Sequence, residues 1–244
     1  MFTPSEIANN YITIGKGKAG LPAGKMALLG ILAGAFIALA GAGATYANVY
    51  VSKLAGAAVF PAGLAMVLIA GSELFTGNCL LILPVLEKAV TVGEMLRNWC
   101  IVYFANMAGA VLVAALVTWS GCGGVIGEAL ASAAAAKVGL SFLQALCRGI
   151  LCNVLVCLGV WMAFAAKNVA GKIVGLFFPV FLFVLCGFEH SVANMFYLPA
   201  GIWAGAAVDW GEAILRNLLP VTLGNIIGGC AIGAVYWRIY VRKI

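Results

Sequence analysis

The chain has 244 residues, of which 64% are hydrophobic and only 9% are charged, and its mean hydropathy is +1.11. A soluble domain needs more charge on its surface, so this composition excludes a water-soluble globular protein and predicts an integral membrane protein. The formal net charge of +6 is distributed over the ends of apolar segments, so it does not require a nucleic-acid partner.

Residues 1–25 predict a cytoplasmic amphipathic helix. Thr3 and Glu6 have the spacing of a capping box, and a proline lies in the first turn. Three residues share one face at helical spacing: Ile7, Tyr11 and Ile14. We expect Gly15 to end the helix and its apolar face to lie at the bilayer surface, since the segment lacks the apolar run of a signal peptide.

Six apolar segments follow, each long enough to cross a bilayer, which requires about 20 residues. They cover about 26–50, 56–86, 97–120, 140–166, 173–199 and 215–238. The second and fifth are interrupted by polar residues that fit one pattern, G-x-E-x-x-x-x-N. The pattern contains Glu73 and Asn78 in the second segment and Glu189 and Asn194 in the fifth, 116 positions later. We therefore expect both helices to be broken.

The flanking segments repeat at an offset of 119. Asn106 recurs as Asn225, Gly109 as Gly228, and Gly30 as Gly149. The sequence thus predicts an all-α membrane protein with two repeats of three helices, 26–120 and 138–238, and a cytoplasmic tail at 239–244. Because three crossings reverse the chain, the repeats are expected to be inverted. In such folds the broken helices meet near the midplane and form the solute site.

Polar and ionisable side chains in the two breaks are the candidate functional residues. His190 is the sole histidine, and a histidine inside a membrane span generally faces a pathway. Thr76 offers a hydroxyl to a passing anion or to His190. Glu73 and Glu189 have two interpretations: they relay protons, or they cap the half-helices by accepting backbone N–H bonds, which their symmetric placement favours. Asn78 and Asn194 are expected to tie down the same loops.

Basic residues indicate the topology. One side of the six-span arrangement carries most of them: Lys16, Lys18, Lys25, Lys88, Arg97, Lys167, Lys172, Arg238, Arg242 and Lys243. By the positive-inside rule both termini face the cytoplasm. No nucleotide-binding, hydrolytic or metal motif occurs, and the eight cysteines are scattered singly. We therefore expect no enzyme activity, no metal and no cofactor.

Four stretches carry a resemblance to a known family. They read ELFTGN at 73–78, NVLVCLGVWM at 153–162, GFEHSVANM at 187–195 and PVTLGNIIGG at 220–229. On these residues the chain, from about residue 20 onward, resembles the formate–nitrite transporter family. The resemblance implies an aquaporin-like fold, a homopentamer in the plasma membrane, and one anion pore in each protomer.

The resemblance also implies roles for individual residues. Thr76 and His190 match the central pore pair, Asn153 matches its polar neighbour, and Lys137 matches a lysine near the outer entrance. The cytoplasmic constriction is expected at Leu64, Phe75 and Val156. The outer constriction is expected at Phe60, Leu74 and Phe183.

Several alternatives stay open at this point. Formate is the expected substrate, yet residues 71–77 resemble the nitrite branch, and hydrosulfide is a third candidate. A neutral-solute channel and a non-conducting membrane structural protein are the alternatives from other classes. Arg148 departs from the formate channels and is expected either to pair with an acid or to face another subunit. The sequence of residues 120–137 does not predict a conformation for that segment.

Overall fold

The computed structural model describes residues 1–242, and every regular element in that range is helical. In chain order the α-helices are α1 (Pro4–Ala19), α2 (Ala23–Tyr50), α3 (Lys53–Val59), α4 (Pro61–Met66), α5 (Phe75–Asn78), α6 (Ile82–Leu86), α7 (Val92–Trp119), α8 (Gly123–Val138), α9 (Phe142–Ala165), α10 (Val169–Leu185), α11 (Ser191–Trp203), α12 (Trp210–Glu212) and α13 (Leu219–Tyr240). Turns of π-helix at Val67–Gly71 and Ala213–Leu218 continue α4 and precede α13, and a 3₁₀ turn joins α5 to α6.

Five helices of the described chain are long and apolar enough to cross a membrane. They are Ala23–Tyr50, Lys53–Gly71, Val92–Trp119, Phe142–Ala165 and Trp210–Tyr240. The apolar helices Phe75–Leu86 and Val169–Leu185 are shorter. The second predicted segment is therefore divided between Lys53–Gly71 and Phe75–Leu86, and the fifth between α10 and α11.

Two long helix pairs form the centre of the bundle, α2 with α7 and α9 with α13. Glycines bring each pair into backbone contact: a Cβ at Gly109 would overlap the carbonyl of Ile31, and one at Gly228 would overlap the carbonyl of Ile150. Such close approach is the usual way in which helices gain packing energy inside a bilayer, where burial of apolar surface gives no advantage.

The N-terminal helix differs from the expectation in two ways. Its capping box is confirmed, because Glu6 N–H donates to Thr3 Oγ1 and Thr3 N–H donates to Glu6 Oε2 at 2.7 Å. However, α1 continues past Gly15 to Ala19, since Gly15 packs inside the helix against Pro84, where a Cβ would approach to 2.8 Å. The apolar face around Tyr11 is buried on the protein instead of lying in the bilayer surface.

The segment after α7 is also helical. Residues 123–138, whose conformation the sequence did not predict, form α8, which packs on α11. The bounds of α8 lie 119 positions after those of α1. This correspondence places α1 and α8 in the same relation to the helices that follow them.

Candidate functional site: a row of cavities through the helix bundle

Two interruptions of the helices create the site. The chain is non-helical at 72–74 before α5 and at 186–190 before α11. A glycine with positive φ lies at each interruption: Gly71 (+85°) directly precedes the first, and Gly187 (+71°) lies within the second. Residues with a side chain rarely adopt this conformation, so these two glycines let the backbone leave the helix.

Two buried asparagines bind the freed backbone groups. Asn106 Nδ2 donates to the carbonyls of Gly30 (2.7 Å) and Glu73 (2.9 Å), and its Oδ1 accepts the first N–H of α5, from Phe75, at 2.9 Å. Asn225 makes the same three bonds with Gly149 O (2.8 Å), Glu189 O (3.0 Å) and Ser191 N–H (2.8 Å). The polar backbone of both breaks is therefore satisfied inside an apolar bundle.

The glutamates of the breaks form buried ion pairs, and this corrects the expectation that they cap the half-helices. Glu73 Oε1 accepts from Lys18 Nζ at 2.8 Å, and both carboxylate oxygens of Glu189 accept from Lys137 Nζ, at 3.0 and 3.1 Å. Neither carboxylate accepts a backbone N–H in the described chain, because the asparagine side chains already occupy those donors. A buried carboxylate without such a cation would be costly.

Asn78 and Asn194 complete these networks as expected of loop anchors. Asn78 Nδ2 donates to Glu73 at 2.7 Å and to Asn98 at 2.9 Å. Asn194 Nδ2 donates to Glu189 at 2.6 Å and to Asn217 at 2.7 Å. Each residue of the network around Glu73 therefore has an equivalent residue in the network around Glu189: Lys18 corresponds to Lys137, Asn78 to Asn194 and Asn98 to Asn217.

His190 and Thr76 meet between the breaks. His190 Nε2 lies 2.9 Å from Thr76 Oγ1, and both side chains are buried. His190 Nδ1 accepts the backbone N–H of Ala193 at 3.0 Å, so the imidazole caps α11. Because Nδ1 is an acceptor here, the neutral ring carries its proton on Nε2 and donates it to Thr76. The Thr76 hydroxyl then has its own proton free for another acceptor.

Asn153 supports this pair from α9. Its Nδ2 donates to the carbonyls of Thr76 (3.1 Å) and Asn225 (2.6 Å), which links the two breaks through one side chain. Its Oδ1 is buried and has no hydrogen-bond partner in the structure.

Four cavities follow one another through the bundle. One of them, here the Lys137 vestibule, has a volume of about 220 Å³, and its polar lining residues are Thr45, Asn48, Lys53, Lys137, Glu189, His190, Asn194 and Tyr197. It meets a central space of about 10 Å³ at the shared walls Phe60, Phe183 and His190. Leu64 and Leu74 separate that space from a cavity of about 20 Å³ beside Tyr11, so Leu74, expected in the outer constriction with Phe60 and Phe183, instead lies on the side away from the Lys137 vestibule. This Tyr11 cavity opens past Lys18 and Ser72 into an open groove, here the Lys18 groove.

The central space brings together most of the predicted constriction. Its lining residues are Ile37, Phe60, Leu64, Leu74, Val156, Val180, Phe183 and His190. Apart from the histidine every wall is apolar, and the volume is about that needed by one water molecule. Phe75 is not brought to this space: its ring packs edge-on against Trp99 and Tyr103, with the Tyr103 centroid at 4.9 Å.

Lys137 lies where its expected role requires, in the wall of the vestibule, but its charge is paired with Glu189. Arg148 is exposed on α9 and forms no ion pair with any residue from 1 to 242.

The sequence interpretation missed the roles of three residues. Lys18 was counted only as a cytoplasmic charge, although it lies 119 positions before Lys137 and makes the equivalent ion pair. Asn106 and Asn225 marked the repeat but received no role. The repeat offset was the available signal, because equivalent positions in two related halves tend to make equivalent contacts.

An all-helical bundle with several membrane-length helices and a row of cavities across it defines a multi-pass membrane transport protein. The family model described as formate/nitrite transporter matches residues 5–238. The chain belongs to the formate/nitrite transporter family, and it is accordingly a transport protein and not an enzyme.

Named relatives and solved structures agree with this assignment. A probable formate transporter of Methanothermobacter thermautotrophicus is 42% identical over 99% of this chain and 98% of the relative. The formate channel FocA of Escherichia coli K12 is 38% identical over 79% of this chain and 75% of the channel. A structure titled FNT family ion channel aligns with a TM-score of 0.85 at 30% identity, covering 96% and 97% of the two chains. A structure titled pentameric formate channel with formate bound aligns with a TM-score of 0.78 at 36% identity, covering 90% and 98%.

Proposed function

We propose that the protein is a channel for small monovalent anions and that formate is its substrate. The observation that carries the proposal is the row of cavities that converges on His190 through an otherwise apolar space. The relatives and the solved structure that are named for formate support this choice of anion. Nitrite and hydrosulfide have similar size and charge, and they are the competing substrates within the same pore.

The central space selects by desolvation and hydrogen bonding. An anion that leaves the Lys137 vestibule loses water as it passes between Phe60 and Phe183, whose ring centroids are 5.7 Å apart. Placing a bare charge among apolar walls is expensive, so a donor at the centre is needed. We assign this role to the Thr76 hydroxyl, which does not line the central space itself but lies 2.9 Å from its one polar wall, His190, and keeps its proton free because the Nε2 proton of His190 occupies its acceptor side.

A proton step through His190 is the second part of the proposal. A neutral weak acid crosses the apolar walls more easily than its anion, so passage is faster when the imidazolium passes its Nε2 proton to Thr76 and the Thr76 hydroxyl passes its own proton to the anion. Forming the imidazolium places a proton on Nδ1 and breaks the bond from Ala193 N–H, which ties the protonation of His190 to the first turn of α11. Transport is therefore expected to increase as the pH falls.

We further propose that the chain consists of two inverted repeats with six crossings and broken second and fifth helices. The paired contacts of Asn106 and Asn225, and of Lys18 and Lys137, support the repeat. Since α1 and α8 hold the two lysines, the repeats are better drawn as 4–119 and 123–238 than as 26–120 and 138–238.

The proposed setting is a homopentamer in the plasma membrane, with both termini in the cytoplasm and the Lys137 vestibule facing out. The basic residues near the ends of the segments support the orientation. Arg148 supports the oligomer: an exposed arginine within an apolar helix is costly against lipid, and a neighbouring subunit would cover it.

The test is anion flux into liposomes that contain the purified protein, measured for formate, nitrite, hydrosulfide and chloride over a range of pH. We expect formate to pass fastest, chloride to be excluded, and His190→Phe to lose both the flux and its pH dependence.

Each other outcome has a definite meaning. If nitrite or hydrosulfide passed fastest, the proposed pore would stand and that ion would replace formate as the substrate. A His190→Phe variant with normal flux and pH dependence would remove the proton step. Passage of neutral solutes alone would indicate a neutral-solute channel, and no selective flux would indicate a structural membrane protein.

A further inference from the structure

The two lysines at the breaks do not give the mouths of the pore a net charge. Lys137 is paired with both carboxylate oxygens of Glu189, and Lys18 is paired with Glu73. Each pair is neutral as a whole, so at distances larger than the pair it attracts an anion only weakly. Attraction from solution has to come from another residue.

Lys53 is that residue in the Lys137 vestibule. The charged side chains in the vestibule wall are Lys53, Lys137 and Glu189, which sum to one positive charge. Lys53 is exposed at the start of α3, and within residues 1–242 no carboxylate lies within ion-pairing distance of its ammonium. Its charge is therefore the uncompensated one.

Asn48 lies in the same wall and has hydrogen-bonding capacity to spare. Its amide is exposed and makes no hydrogen bond to the described protein. The other neutral donors nearby are already used, since the hydroxyls of Thr45 and Tyr197 both donate to the carbonyl of Gly41, at 2.9 and 3.2 Å. Lys53 and Asn48 are thus the free cation and the free amide of this mouth.

The charged side chains at the opposite mouth of the pore also sum to one positive charge, which there comes from a different lysine. The charged side chains lining the Lys18 groove are Lys18, Lys25 and Glu73, and Lys25 is exposed with no acidic partner in the described chain. Lys25 and Lys53 are not related by the offset of 119, so the repeat does not account for the match. Each mouth keeps one neutral pair and one free lysine.

We propose that Lys53 and Asn48 form a capture site for small monovalent anions in the Lys137 vestibule, ahead of the Phe60–Phe183 constriction, and that Lys25 does the same in the Lys18 groove. This inference rests on the proposed anion channel. A single ammonium in contact with water binds an anion weakly and releases it quickly, which suits a site that loads a conducting pore. Such a site raises the local anion concentration and leaves the central step unchanged.

The test is formate flux in liposomes of defined protein orientation, with formate varied at the face that carries Lys53. Lys53→Gln is expected to raise the half-saturating formate concentration about fivefold, the factor that about 1 kcal/mol of lost attraction gives, with the maximal flux unchanged. Added inert salt should slow the wild type and affect this variant less. Lys53→Arg should behave as the wild type, and Asn48→Leu should show a smaller shift of the same kind.

Arg216→Gln is the matched control, because Arg216 is an exposed cation, bonded to Glu212, that does not line the vestibule. It should leave the half-saturating concentration unchanged. If the wild type conducts formate and Lys53→Gln equals Arg216→Gln, the capture site is wrong and the channel stands. If the wild type conducts no anion, both the channel and the capture site fall.

Discussion

At the scale of single residues, the chemistry depends on which ring nitrogen of His190 carries the proton. The backbone N–H of Ala193 occupies Nδ1, so Nε2 faces Thr76 with its proton. A threonine that accepts from a histidine keeps its own hydroxyl proton free for another acceptor. The order of donors therefore runs from His190 to Thr76 to the anion, and Thr76 is expected to touch the substrate.

Thr76→Val tests that order, because valine keeps the shape of threonine and removes the hydroxyl. Loss of one hydrogen bond to the anion, worth about 1.5 kcal/mol, should reduce maximal formate flux about tenfold. Thr76→Ser keeps the hydroxyl and should retain most of the flux. Stopped-flow measurement in liposomes checks both variants, and a valine variant with full flux would contradict the role of Thr76.

At the scale of elements, one asparagine holds each helix break. Asn106 and Asn225 each make three hydrogen bonds to the backbone, and two of the three partners, a carbonyl and an N–H of the break, would otherwise be unsatisfied in an apolar interior. Through these bonds α7 fixes the start of α5 and α13 fixes the start of α11. The position of Thr76 and His190 therefore depends on helices that do not line the central space.

Asn106→Ala and Asn225→Ala should destabilise the protein to a similar extent. Each variant leaves two buried backbone groups of the break without a partner, at a cost of about 2 kcal/mol or more, which lowers the unfolding temperature by roughly 4–8 °C. Asn10→Ala is the control, since Asn10 is exposed on α1. Thermal unfolding in detergent measures the effect. A small change at Asn106 or Asn225 would mean that water satisfies the break.

The docking of α1 depends on one glycine. A Cβ at Gly15 would meet Pro84 at 2.8 Å, whereas nothing lies within 4 Å of a Cβ at Gly17. Gly15→Leu should therefore lift α1 from the bundle and expose Lys16 and Lys18 to trypsin, and Gly17→Leu should leave them protected. Limited proteolysis followed by mass spectrometry distinguishes the two. Equal protection in both variants would show that α1 docks without this contact.

At the scale of the whole molecule, the outward faces of the spanning helices carry many apolar side chains, and Arg148 lies on one of these faces. Many large apolar side chains are exposed on the spanning helices, which fits contact with lipid or with other subunits. An exposed arginine between apolar neighbours on α9 fits the second better, since another subunit can offer a partner for its charge and lipid chains cannot.

Arg148→Glu should weaken the proposed pentamer, because the new charge opposes whatever group the arginine meets. Native mass spectrometry is expected to show five copies for the wild type and smaller species for the variant. Arg238→Glu is the control, as Arg238 lies exposed near the end of α13, where a long side chain reaches water. Five copies in both variants would place Arg148 outside the interface.

The sequence predicted the helical class and the family. These depend on composition, on motif identity and on spacing, all of which survive in a linear chain. Thr76, His190 and Asn153 were found through the motifs, and the structure brings them into one network. The sequence also marked Asn106 and Asn225 as related positions, but a spacing does not say which atoms a side chain will reach.

Only the tertiary structure decided which side chains hydrogen-bond to the backbone of the breaks and which cations pair with their carboxylates. Glu73 and Glu189 were placed as helix caps because local sequence cannot show that Lys18 and Lys137 reach them from other helices. Likewise Gly15 has the local signature of a helix end, yet its role is set by contact with Pro84, 69 positions away. Local conformation follows from neighbours in sequence, whereas pairing of charges and close packing depend on groups that only the folded chain brings together.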